Sequence, residues 1–156
     1  MKSKFGYFII VFLIFGCATT MSQTDWYRSC RIRVSVQDGK LNGPFEFYDP
    51  KGQIRCRGNF LDDKKEGVWT VWESTGVKLA EISYKNDLKN GPVKLWYGSY
   101  IDSGKNAGHL KLQASFLNGE YHGKYELFLS DGEKIIEVEL NHGEIVKAHL
   151  YYEKAK

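Results

Sequence analysis

The chain has 156 residues, enough for one domain, and carries 22 Lys and Arg against 19 Asp and Glu. Its formal net charge is only +3, so no nucleic-acid partner is expected on charge, despite a pI near 8.6.

The first residues read as an export leader. Lys2 and Lys4 precede an almost wholly apolar run from Phe5 to Phe15, followed by Gly16 and Cys17. The run is shorter than the roughly 20 residues that span a bilayer, and it has the length and flanks of a secretory signal peptide. Ile14-Phe15-Gly16-Cys17 resembles the bacterial lipobox, although Phe15 is bulkier than that motif usually shows. The resemblance implies cleavage before Cys17 and acylation of that cysteine, giving a leader over 1–16 and a lipidated tether over 17–27. Each buried methylene adds about 0.8 kcal/mol, so two or three acyl chains would anchor firmly. Ala18 is not acidic, which points to the outer membrane of a bacterial envelope. Removal of Lys2 and Lys4 with the leader lowers the formal charge from +3 to +1.

From residue 28 onward the sequence is periodic. Gly43, Gly67, Gly91 and Gly123 each open a run ending in an aromatic residue five places on: Tyr48, Trp72, Trp96 and Phe128. Gly52, Gly76, Gly108 and Gly132 form a second series, with Phe60, Tyr84, Phe116 and Leu140 eight places beyond. The step is 24 residues except where eight extra residues lie between Trp96 and Gly108. Residues 28–36 fit the second half of a partial repeat and 147–152 the first half of another, with Tyr152 in the aromatic slot and Lys147 in place of the glycine.

Each half-repeat alternates apolar and polar residues, as in Cys56/Gly58/Phe60 against Arg57/Asn59, the period of a strand with one buried face. Between repeats come DGKLNG, DDKKEG, NDLKNG and NGEYHG, which read as turns, as do DPKG, ESTG and LSDG within them. The expected fold is all-β: an elongated, single-layer antiparallel meander of about ten strands over 28–156, on the order of 45 Å long. On this pattern Cys30 and Cys56 lie on strands with one between them, about 10 Å apart, beyond the roughly 7 Å a disulfide allows.

Residues 66–97, EGVWTVWESTGVKLAEISYKNDLKNGPVKLWY, carry a pattern that resembles the MORN repeat and, more closely, its bacterial variant family. The resemblance covers about residues 28–152. It implies a scaffold or membrane-associated interaction module, antitoxin-like in some bacterial relatives, with no shared catalytic residue to carry over.

The remaining residues suggest no enzyme, cofactor or metal. His109, His122, His142 and His149 show no metal-pair spacing, although Glu120 and His122 could meet in one turn. No nucleophile motif or phosphate-binding loop is present. The candidate contact surface is the aromatic row Tyr48, Trp72, Trp96, Phe128 and Tyr152, expected on the face opposite Phe47, Val71, Leu95, Leu127 and Tyr151. Such a row could anchor a protein partner or stack on an envelope glycan. The second candidate is the inserted loop, expected to project from a hairpin tip with Tyr97, Tyr100 and Ile101 free for contact. Its removal over 98–105 is expected to leave the fold intact.

Overall fold

A computed structural model describes residues 29–100 and 102–151. The leader, the tether, Cys17, Ile101 and Tyr152 lie outside the described residues. The chain divides after Cys30, and all the strands lie in the unit that begins at Arg31.

The repeats form one open ten-stranded sheet in which every strand pairs antiparallel with its neighbours in sequence. The strands are β1 (Arg31–Gln37), β2 (Lys40–Tyr48), β3 (Ile54–Leu61), β4 (Lys64–Trp72) and β5 (Lys78–Lys85). They continue as β6 (Leu88–Trp96), β7 (Leu110–Leu117), β8 (Glu120–Phe128), β9 (Lys134–Asn141) and β10 (Glu144–Leu150). The all-β meander expected from the repeat is the fold.

The connections between repeats are tighter than the sequence suggests. The turn is only two residues, Asp38-Gly39, Asp62-Asp63, Asn86-Asp87, Asn118-Gly119 or His142-Gly143, all with positive φ. Such turns match the right-handed twist of the strands they join. The residues KLNG and their counterparts belong to the next strand, not to the turn. Their glycine is a bulge inside it. From Val34 to Val36 the partner strand advances four residues, from Phe45 to Leu41. Gly43 accommodates this with φ 109, and a Cβ there would stand 3.1 Å from that of Ser35.

Successive turns on this edge are bonded to one another. The Asp63 N–H donates to the Leu41 carbonyl at 2.9 Å, and the Leu41 N–H donates to Asp63 Oδ1 at 2.7 Å. Asp87 makes the same two bonds with Lys65. Gly119 and Gly143 keep the backbone bond, to Lys89 and Tyr121. Asp63→Ala should therefore cost about 1–2 kcal/mol, because it removes the acceptor and leaves a side chain at φ 66. Asp63→Gly should cost less, since glycine relaxes the backbone; urea unfolding of both variants measures the difference.

One face of the sheet is apolar. Ile32, Phe47, Cys56, Val71, Ala80, Leu95, Leu112, Leu127, Ile136 and Leu150 stand directly opposite one another, strand to strand, across all ten strands. The first repeats are the best buried, with Phe45, Phe47, Cys56, Phe60 and Trp69 each at 6% exposure or less. A second buried cluster holds Val93, Ala114 and Phe116. Cys56 is a free thiol whose pKa burial pushes up to about 12, so it is not bridged and is inert as a nucleophile.

Candidate functional site

The opposite face is polar and equally continuous. The row Arg33, Glu46, Arg57, Thr70, Glu81, Lys94, Gln113, Glu126, Glu137 and His149 runs in register across all ten strands. Opposite charges placed directly across an antiparallel pair stabilise it. Accordingly Glu46 bonds Arg57, at 3.0 Å, and lies 3.7 Å from Arg33. The Tyr48 hydroxyl also donates to Glu46, and this bond, more than the arginines, holds the Glu46 carboxyl below its ordinary pKa. Glu126 and Glu137 are the exception, two like charges face to face. Lys134 resolves the conflict by donating to both, and Lys124 lies 3.5 Å from Glu137. These bonds hold the Lys134 pKa above its ordinary value and that of Glu137 below it.

The aromatic slots flank this row. Tyr48 lies under the Arg31 and Arg33 guanidinium groups, at 5.5 and 5.4 Å. The Lys78 ammonium sits 5.1 Å from the Trp96 ring, and the Lys134 ammonium 5.8 Å from that of Phe128. Arg33, Lys78 and Lys134 are themselves paired with carboxylates of the polar row, which places Tyr48, Trp96 and Phe128 on the polar face, as expected. Trp72, one residue beyond Val71 of the apolar row, is half-buried like the other three.

The last member of the row is different. Leu150 pairs with Ile136 in the apolar row, while Tyr151 lies 5.9 Å from the Lys134 ammonium and 6.3 Å from the His149 ring. Tyr151 therefore takes the slot expected for Tyr152. The cause is Lys147. Where the other hairpins between repeats carry a two-residue bulge around a positive-φ glycine, β10 has a one-residue bulge between Ile145 and Lys147. One residue fewer in the bulge moves every following side chain to the other face.

The inserted loop is held to the sheet at three places. Its base keeps the closure of an ordinary hairpin, with the Tyr97 N–H donating to the His109 carbonyl and the Gly108 N–H to that of Tyr97. Ten residues lie between Tyr97 and Gly108, eight more than in an ordinary hairpin of this sheet. On one side the Ser99 amide and hydroxyl donate to Glu73, in the corresponding turn of the preceding repeat. Thr75 donates to the same carboxylate, which is 7% exposed. A Cβ on Gly98 would stand 2.6 Å from Glu73 Oε2, so glycine admits this approach. On the other side Tyr97 Oη donates to the Phe128 carbonyl, and His109 Nδ1 lies 2.8 Å from the Ser130 carbonyl oxygen. Tyr97 is thus committed to the sheet and is not free for contact. Tyr100 is 77% exposed and stays available.

The histidines also depart from expectation. Glu120 meets His142, from the following turn, at 3.0 Å, and not His122. The His122 and His142 rings approach to 5.3 Å between centroids.

Two consecutive hairpins, residues 41–62 and 65–86, match the MORN repeat variant family. The chain carries MORN repeats. Each match begins just after an inter-repeat turn, runs up one strand and down the next, and ends in the following turn, so the structural unit and the family unit coincide. β6–β7 and β8–β9 have the same hairpin geometry, the former with the inserted loop at its tip. None of the curated proteins compared matches the chain. MORN repeats make the sheet a repeat-based interaction module.

Proposed function

We propose that the protein is a non-enzymatic interaction scaffold, held at a bacterial envelope membrane by lipid on Cys17, that presents its polar face to a protein partner. The supporting observation is the aromatic row: Tyr48, Trp96, Phe128 and Tyr151 recur on one face beside cations, and half-buried Trp72 occupies the equivalent slot one residue beyond Val71. Trp and Tyr in such settings dominate protein–protein binding energy. An immunity role is a special case of this reading, in which the sheet would cover the active site of a toxin. Stacking on envelope glycan is the alternative. It is the weaker reading because cations already lie against Tyr48, Trp96 and Phe128.

Trp72→Ala combined with Trp96→Ala separates the two. The unaltered protein should retain a protein from solubilised envelope, and the folded double variant should retain at least tenfold less, the equivalent of about 1.4 kcal/mol. Retention on envelope polysaccharide that is lost in the variant would transfer the row to the glycan reading. A folded protein that retains neither would refute both.

A further inference from the structure

The two outer strands of the sheet are complementary halves of one repeat. β1 carries the second half, with Ile32, Val34 and Arg33 in the positions that Cys56, Gly58 and Arg57 hold in β3. β10 carries the first half, with Leu150, Ala148 and His149 in the positions that Leu127, Tyr125 and Glu126 hold in β8. Within a repeat these halves pair as a hairpin. Among the described residues each has a sheet neighbour on one side only.

Both strands also expose what a hairpin would cover. Every residue of β1 and β10 is exposed, including Ile32 at 48%, Val34 at 39% and Leu150 at 76%. Of the twelve large apolar side chains exposed among the described residues, seven lie on these strands or at Tyr151, so the uncovered surface is concentrated at the two ends. An unpaired strand with exposed apolar side chains is a template for another strand.

We propose that copies of the chain assemble head to tail, β10 of one copy pairing antiparallel with β1 of the next to complete a split MORN repeat. The alternating strand direction continues unbroken across such a junction, because β10 runs opposite to β1. In the register of the internal hairpins Leu150 meets Ile32 and Ala148 meets Val34. The apolar row thereby extends from copy to copy. On the other face His149 meets Arg33, extending the polar row. The contact is heterologous, so it propagates into a chain or closes into a ring.

Cysteine pairs test the register directly in the full-length protein in detergent, in a Cys30→Ser background that corrects for the remaining thiols. Val34→Cys and Ala148→Cys are both at exposed positions, and strand content by circular dichroism checks that each variant is folded. Mixing the two single variants under mild oxidation should give a 34–148 linked dimer, and the doubly substituted chain should give a ladder of higher multimers. Val34→Cys mixed with Glu144→Cys, which is out of register, should give little product. Dominant 34–34 or 148–148 dimers would show symmetric end pairing and overturn the proposal. Folded variants that stay monomeric at every concentration would overturn it as well.

Discussion

Gly58→Ala is expected to destabilise the sheet by about 2–3 kcal/mol, a large effect for one methyl group. A Cβ on Gly58 would stand 2.2 Å from the indole of Trp69. The indole has no room to retreat. It is 3% exposed, stacked on Phe45 at 5.3 Å and edge-on to Phe60 at 5.0 Å, and its Nε1–H donates to the Asn59 carbonyl. Removing the ring instead, with Trp69→Ala, should cost about 3–5 kcal/mol by leaving a cavity among those aromatics. The repeats themselves indicate how the volume can be redistributed. Where one repeat junction pairs Gly58 with Trp69, the next pairs Ile82 with Val93 and the third pairs Ala114 with Tyr125. At these three junctions a small residue faces a large one, or two medium residues face each other. Gly58→Ile with Trp69→Val should therefore recover much of what either substitution loses alone. A double-mutant cycle by urea unfolding measures this, and additive losses would show that the two positions do not share one volume.

That exchange marks the boundary of what the sequence made legible. The 24-residue step, the period-two alternation and the glycine series announced a meander of ten strands, because each is a local pattern repeated in register. They also placed Tyr48, Trp72, Trp96 and Phe128 on the face opposite the core. Misread were the features that depend on how far the chain advances against its partner. KLNG and its counterparts resemble turns because they are rich in lysine, asparagine and glycine. Only the pairing of Val36 with Leu41 makes them strand and makes Gly43 a bulge. The same bulge decides the face of Tyr151. With Lys147 in the glycine position it shortens by one residue, and strict counting then assigned the slot to the wrong tyrosine. A missing glycine at a position where all other repeats have one was the available signal.

Deletion of residues 98–105 is expected to destabilise the protein, contrary to what the sequence alone implied. The excision leaves Tyr97-Asn106-Ala107-Gly108-His109, a turn of ordinary length whose closing bonds already exist. Chain connectivity is therefore not the difficulty. Glu73 is. Its carboxylate is buried and would lose the Ser99 amide and hydroxyl, leaving Thr75 as its remaining hydrogen-bond donor in the turn. Losing those two donors costs about 1–3 kcal/mol, less wherever water reaches the carboxylate that the loop had covered. Repeat four supplies the control, since Leu129 stands at the position equivalent to Glu73 and puts no carboxylate there. Glu73→Leu in the deleted chain should restore stability, whereas Glu73→Leu in the intact chain should release the loop. The acid response has the matching sign. Burial alone would raise the Glu73 pKa, but the bonds from Ser99 and Thr75 and the charge of Arg55 outweigh it and hold it below its ordinary value of 4.5. A carboxyl depressed on folding contributes its stability above its ordinary pKa and loses it as pH falls through the lowered one. Protection of the Ser99 amide against exchange, relative to the intrinsic rate at each pH, should accordingly be high at neutral pH and fall in acid, and Glu73→Gln should flatten that dependence. A pH-independent protection of Ser99 in the unaltered protein would mean that the carboxylate does not hold the loop.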